Sequence, residues 1–214
     1  MDNAVALVQA FLRLHGYLTV TEFPVVRRSS SGGYEAITDL DVLAFRFGGA
    51  KGACDGAPEH LSARLSLPDA LLGARPGEAD MIIGEVKEGR AELNAAATKS
   101  KVLVAALERF GCCPGSALPA LVRTLLREGR AKTGHGHHVR LVAFGSVRPG
   151  GSSSQHHVVL LADVVAHLRA YIQTHWSAVQ ASASKDPGLG FLITLEKARR
   201  GEASSSQSEL HHGR

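Results

Sequence analysis

The feature that most constrains this chain is a pair of apolar runs, each broken by charges at alternate positions. The first is Ile37-Thr38-Asp39-Leu40-Asp41-Val42-Leu43-Ala44 and the second is Asp80-Met81-Ile82-Ile83-Gly84-Glu85-Val86-Lys87. Short runs rich in β-branched residues read as strands. Successive side chains on a strand point to opposite faces, so Asp39 and Asp41 share one face, and Glu85 and Lys87 share another. A carboxylate inside an apolar run costs free energy unless something pairs with it, so these charges need a reason. If the two strands are neighbours, two or three carboxylates and one ammonium converge at one end of a sheet.

The remainder of the chain supplies the setting. Residues 2–15 place Val5, Leu7, Val8, Phe11, Leu12 and Leu14 at helical spacing, and Gly16 ends that run. Residues 17–27 read as a strand in which Pro24 points to an edge position. Residues 34–47 read as a second strand, joined to the first through Ser29-Ser30-Ser31-Gly32-Gly33 as a hairpin. A third strand is expected over 81–88, then helices over 94–110 and 117–128. A strand over 139–147, a turn over 150–155 and a fifth strand, or the lead-in to a helix, over 157–161 follow, and helices over 163–176 and 189–199 complete the order. Residues 48–79, rich in Gly, Ala and Pro, form an insertion with a short helix near 68–72. This order predicts an α/β fold with a mixed sheet flanked by helices, its first strands antiparallel. With 214 residues and 44% hydrophobic content, one domain over residues 1–200 is expected. Residues 201–214, rich in Ser, Gln and His, read as a disordered tail.

Composition removes several function classes. No apolar run approaches the ~18–20 residues that a bilayer span needs. The opening Met1-Asp2-Asn3-Ala4-Val5 carries no basic stretch followed by a long apolar one, which argues against a secretory signal. Cys54, Cys112 and Cys113 make no disulfide framework, so a reducing, cytoplasmic location is expected. Gly48-Gly49 and Gly150-Gly151 lack the Gly-Lys-Ser/Thr ending of a nucleotide loop. His135, His137, His138, His156 and His157 lack the order of a tetrahedral zinc site and read as a flexible basic loop able to touch phosphates. A net charge of +4 permits a polyanionic partner without demanding one.

Converging carboxylates beside a lysine suit phosphodiester hydrolysis. Carboxylate oxygens hold a hard cation such as Mg²⁺, which keeps several waters and also touches the substrate phosphate. The cation polarises the phosphoryl oxygen and lowers the pKa of a water, and a nearby ammonium stabilises the charge that develops. The other reading of the same residues makes Glu85 and Lys87 solvated edge-strand charges and has Asp41 cap a turn.

Asp41-Val42-Leu43-Ala44 followed by Gly84-Glu85-Val86-Lys87 resembles the PD-(D/E)XK nuclease superfamily, especially its Holliday junction resolvase and Mrr-like branch. There an Asp in an Asp-hydrophobic-hydrophobic-Ala strand precedes a Glu-x-Lys at the end of the next strand. The resemblance covers about residues 1–110, with 139–147 as the last core strand, and implies a restriction-endonuclease-like αβββαβ core. It implies an Mg²⁺- (or Mn²⁺-) dependent nuclease acting on DNA, with Asp41 and Glu85 as metal ligands and Lys87 as the catalytic lysine. Glu22 and Asp39 are further candidate ligands. Lys99 and Lys101, on the helix after the motif, are candidate DNA-backbone contacts. A homodimer, or a place beside a partner subunit, is also implied, as is the alternative of a non-catalytic DNA-binding or assembly subunit. Two departures stand out. The 48–79 insertion is longer than the tight hairpin of that branch, and Glu22 sits in a strand where the family has an acid in the first helix.

Overall fold

The computed structural model describes residues 2–48, 69–75, 77–150, 155–182 and 185–201. Helix α1 (Asn3–Leu14) opens the chain, its first turn capped by Asp2, whose carboxylate accepts from the Ala4 N–H at 2.8 Å. Strands β1 (Leu18–Arg28) and β2 (Tyr34–Arg46) form the expected hairpin. The short helix α2 (Asp69–Leu72) then leads to β3 (Asp80–Arg90). Helices α3 (Ser100–Phe110) and α4 (Leu118–Glu128) follow, separated by a 3₁₀ turn, Gly115–Ala117. Strands β4 (Arg130–Lys132), β5 (His138–Val147) and β6 (His157–Leu160) complete the sheet. Helices α5 (Leu161–Thr174), α6 (Trp176–Ser182) and α7 (Pro187–Arg200) close the described chain.

The sheet runs β1-β2-β3-β5-β4, with β6 also paired to β5. β1, β2 and β3 are antiparallel in turn, whereas β3 and β5 run parallel, so the sheet is mixed as expected. β1 lies at the edge, the position that Pro24 foretells. Strand alternation sorts the apolar residues into two layers. Val42, Ala44, Ile82, Val142 and Phe144 meet Val8, Phe11 and Leu12 of α1 and Val164 and Leu168 of α5. Leu43, Met81, Ile83, Val139 and Leu141 meet Leu103 and Leu107 of α3 and Leu121 and Leu125 of α4. A central strand covered on both faces must be apolar on both, which is why Met81-Ile82-Ile83 is a continuous run.

One buried charge network pins the sheet's central strands. Arg140 on β5 grips Asp80 on β3 with two nitrogens at 2.8 and 2.7 Å, and the Tyr17 hydroxyl donates to the same carboxylate at 2.5 Å. Arg140 also donates to the Leu72 carbonyl, and His157 Nε2 lies 2.7 Å from that of Leu71. The end of the insertion is thereby tied to the sheet.

Several boundaries differ from the sequence reading. The helix expected from residue 94 begins at Ser100, because Asn94 starts a turn: its side-chain oxygen accepts from the Ala96 N–H at 2.9 Å and its carbonyl from the Thr98 N–H at 3.1 Å. Asn competes with helix in this way through its own side chain. The three-residue β4 was not expected. It forms a short hairpin with β5, and the histidine loop is its hydrogen-bonded turn, with Thr133 donating to the His137 carbonyl at 2.8 Å. The expected helix over 163–176 is α5, with α6 as a separate element after it. Most of the 48–79 insertion, part of the 150–155 turn and the tail from residue 202 lie outside the described residues. No described helix is long and apolar enough to cross a membrane.

Candidate functional site

β2 and β3 are paired from Arg46↔Asp80 through Val42↔Gly84, and there the ladder stops. One step further, the same register would set Asp41 opposite Glu85. Instead the Asp41 side chain turns toward β3, and its Oδ2 accepts the Val86 N–H at 2.7 Å. The break extends to the other neighbour. Thr21↔Val42 and Phe23↔Leu40 pair, but Glu22, which would oppose Asp41, does not and carries a left-handed φ of 52°. Such irregularities re-aim side chains and gather at functional sites. Leu40 and Leu43 reach the same core layer although three residues apart, so alternation changes across Asp41.

Glu85 follows Met81 and Ile83 on the α3/α4 side of β3 and is only 6% exposed. Its Oε2 is buried with no hydrogen-bond partner. Burial pushes its carboxyl up to about 7, with the charge of Asp41 acting in the same direction, while Lys87 and a hydrogen bond from the Asn94 side chain pull it back. Asp41 is half-buried, and its pKa is also raised. Burial is the main cause, Asp2 and Asp39 add to it, and the Val86 N–H and Lys87 oppose it. The two carboxylates and the lysine named by the sequence are therefore electrostatically coupled at the point where β2 and β3 part. That coupling requires proximity and disfavours the alternative of solvated edge charges for Glu85.

The other candidates fall differently. Glu22 and Asp39 are exposed, and no group of three or more His, Cys, Asp or Glu side chains is placed to hold a metal ion among the described residues. Lys99 is the N-cap residue of α3 and Lys101 lies in its first turn; both are exposed. Two residues that the sequence reading passed over belong to this neighbourhood. Asp2 bears on Asp41 electrostatically, and its signal was an Asp just ahead of the first helical run. Asn94, in the turn that precedes α3, lowers the Glu85 pKa in the same sense as Lys87. Cys112 and Cys113 lie elsewhere, and Cys54 falls outside the described residues: Cys112 is buried, with Sγ 4.0 Å from that of Cys113, and its thiol is pushed up to about 11, chiefly by burial. That is the wrong direction for a nucleophile.

Chemically, the Asp41 and Glu85 pair offers hard oxygen donors, one of them a buried oxygen without a partner. Two carboxylates suit Mg²⁺, which is commonly held by one or two carboxylates plus waters and substrate phosphates. The donor set therefore fits a hard divalent cation. Comparison with protein-family models, curated proteins and solved structures gives no match.

Proposed function

We propose that this protein is a metal-dependent nuclease that hydrolyses phosphodiester bonds in DNA, with Asp41 and Glu85 holding Mg²⁺ or Mn²⁺ and Lys87 stabilising the transition state. The observation that carries this reading is the buried, unpartnered Oε2 of Glu85, coupled to Asp41 and Lys87. A buried carboxylate whose charge is opposed by a second one is costly to ionise, and a cation relieves that cost. When bound, the ion supplies Lewis-acid polarisation of the phosphoryl oxygen. The residues of the chain do the rest. The Val86 N–H fixes Asp41, leaving its second carboxylate oxygen to bind. Lys87 presents a compact positive charge to the phosphate. Lys99 and Lys101 are exposed at the start of α3, where they can meet the DNA backbone. The order α1, β1-β2-β3, α3, β5, with β5 parallel to β3, supports a restriction-endonuclease-like core.

A second reading, a non-catalytic DNA-binding or assembly subunit, draws on the hairpin. There Leu18, Val26 and Tyr34 are 67%, 57% and 79% exposed, more apolar surface than a free edge needs. One assay separates the two. With labelled duplex, single-stranded and branched DNA, the wild-type protein cuts at least one substrate in Mg²⁺, and Asp41→Asn and Lys87→Ala cut none while melting cooperatively without metal. Asn is preferred to Ala at position 41 because its side-chain oxygen can still accept the Val86 N–H. Mg²⁺-dependent cutting retained in either variant refutes the role given to that residue. DNA binding without cutting or any metal effect favours the subunit.

A further inference from the structure

We infer that the tip of the β1–β2 hairpin grips single-stranded DNA, with the Tyr34 ring stacked on a base and Arg28 against a phosphate. This names the substrate class of the proposed nuclease and rests on that reading. β2 keeps β1 as its partner as far as Arg28↔Tyr34, but it leaves β3 after Val42↔Gly84. Because β2 and β3 are antiparallel, Glu85 and Lys87 lie on the side of that break toward which the hairpin continues. The sheet therefore forks at Asp41, with the hairpin as one prong and the β3–β5 pair as the other. A nucleic-acid strand seated at the fork can run on along the hairpin.

The base of this prong is fixed and its tip is bare. Phe23, Val25, Ile37 and Leu40 pack into the core layer of α3. From Val26 to Ala36 every residue is exposed apart from the half-buried Ser29, whose N–H donates to the Gly33 carbonyl at 2.8 Å and closes the turn. A register shift between Val25 and Val26 re-aims the tip. Directly opposed residues, and those two apart on a strand, share a face. One face of the tip thus carries Arg28, Tyr34, Val26 and Ala36, and the other carries Arg27 ion-paired with Glu35. The faces differ in charge. Arg27 is neutralised across the strands, whereas no side-chain hydrogen bond or ion pair engages Arg28 or Tyr34 among the described residues. Tyr34 is 79% exposed and Val26 57%. A cation beside a bare aromatic ring, on a chain of net charge +4, suits a polyanion that also presents flat rings. In duplex DNA the bases are already stacked on one another, so a surface ring finds a stacking partner only where bases are unpaired.

Full-length wild type, Arg28→Ala, Tyr34→Ala and Tyr34→Phe are compared by fluorescence anisotropy on labelled single-stranded DNA and on its duplex. Ca²⁺ replaces Mg²⁺ so that a hard-cation site stays filled, and gel analysis confirms that the DNA is intact. Both positions are exposed, so melting temperatures stay near the wild-type value. For Tyr34→Ala the expected result is a ~5–150-fold loss of affinity for the single strand with the duplex unchanged. Tyr34→Phe keeps the ring and binds as the wild type does. Arg28→Ala lowers the slope of log affinity against log salt on the single strand by about 0.7, the share of one phosphate contact. Wild-type single-strand binding by Tyr34→Ala, an equal loss on both DNAs, or an unchanged slope in Arg28→Ala overturns the inference and leaves the nuclease reading in place. A wild-type protein that binds neither DNA removes that reading, and the inference falls with it.

Discussion

At Glu85 the cost of burial is met by holding a proton. Its folded pKa of about 7 stands above the ordinary glutamate value of 4.5. A group whose folded pKa is raised contributes stability that is fully present below the unfolded value and is lost as pH rises through the folded one. In the absence of metal, Glu85 therefore weakens the fold between about pH 4.5 and about pH 7. Glutamine, which cannot ionise, removes that penalty. The gap in melting temperature between Glu85→Gln and wild type widens as pH is raised from about 5 to about 8, and adding Mg²⁺ closes it at the upper end, because a cation stabilises the charged carboxylate. The comparison is made as a difference because His167, packed against His15 with ring centroids 5.1 Å apart, acts in the opposite direction. Its pKa is lowered to about 4, by burial first, so its contribution is lost as pH falls. A gap that stays constant across this range contradicts the assignment at Glu85.

Among the elements, β3 carries two buried acids, Asp80 and Glu85. Asp80 at its start is 2% exposed and Glu85 at its middle 6%, with Met81, Ile82 and Ile83 between them. The two acids differ in what meets them. Asp80 has Arg140 and Tyr17, whereas Glu85 has a buried oxygen without a partner. The acid at the start of the strand is thus satisfied within the protein and the one at its middle is not. Replacing Asp80 with Asn leaves the Arg140 charge buried and unpaired, a loss of ~3–5 kcal/mol. Denaturant unfolding should show it, and an effect below ~1 kcal/mol would mean that the pair is dispensable. Much of this element was legible in the sequence, because a strand with two covered faces leaves a continuous apolar run, and charges within such a run stand out. Helix ends were less legible. Asn94 lies where apolar periodicity already favours helix, and only its bond to the Ala96 N–H shows that a turn intervenes. β4 has three residues, too few for any period to be read. The irregularity at Glu22 was hidden for another reason: left-handed backbone at a glutamate has no signature in residue type.

For the molecule as a whole, the layers explain how positions so distant in sequence meet. α1 packs on one face of the sheet and brings Asp2 within electrostatic reach of Asp41. The strand order β1-β2-β3-β5 sets the Asp41 strand directly beside the Glu85 strand despite the long insertion between them. Adjacency, the property that the spacing alone left open, is therefore supplied by the sheet. What the sequence could not express is the early end of the β2–β3 ladder, which frees Asp41 to turn toward β3. The proposed activity depends on that pair of carboxylates gripping one divalent ion, and calorimetric titration of Mn²⁺ and Mg²⁺ into the metal-free protein at about pH 8, where Glu85 is ionised, tests it most directly. The predicted result is saturable binding by the wild type that is lost in Asp41→Asn and in Glu85→Gln, both still folded. No binding by the wild type, or equal binding by all three, would contradict it.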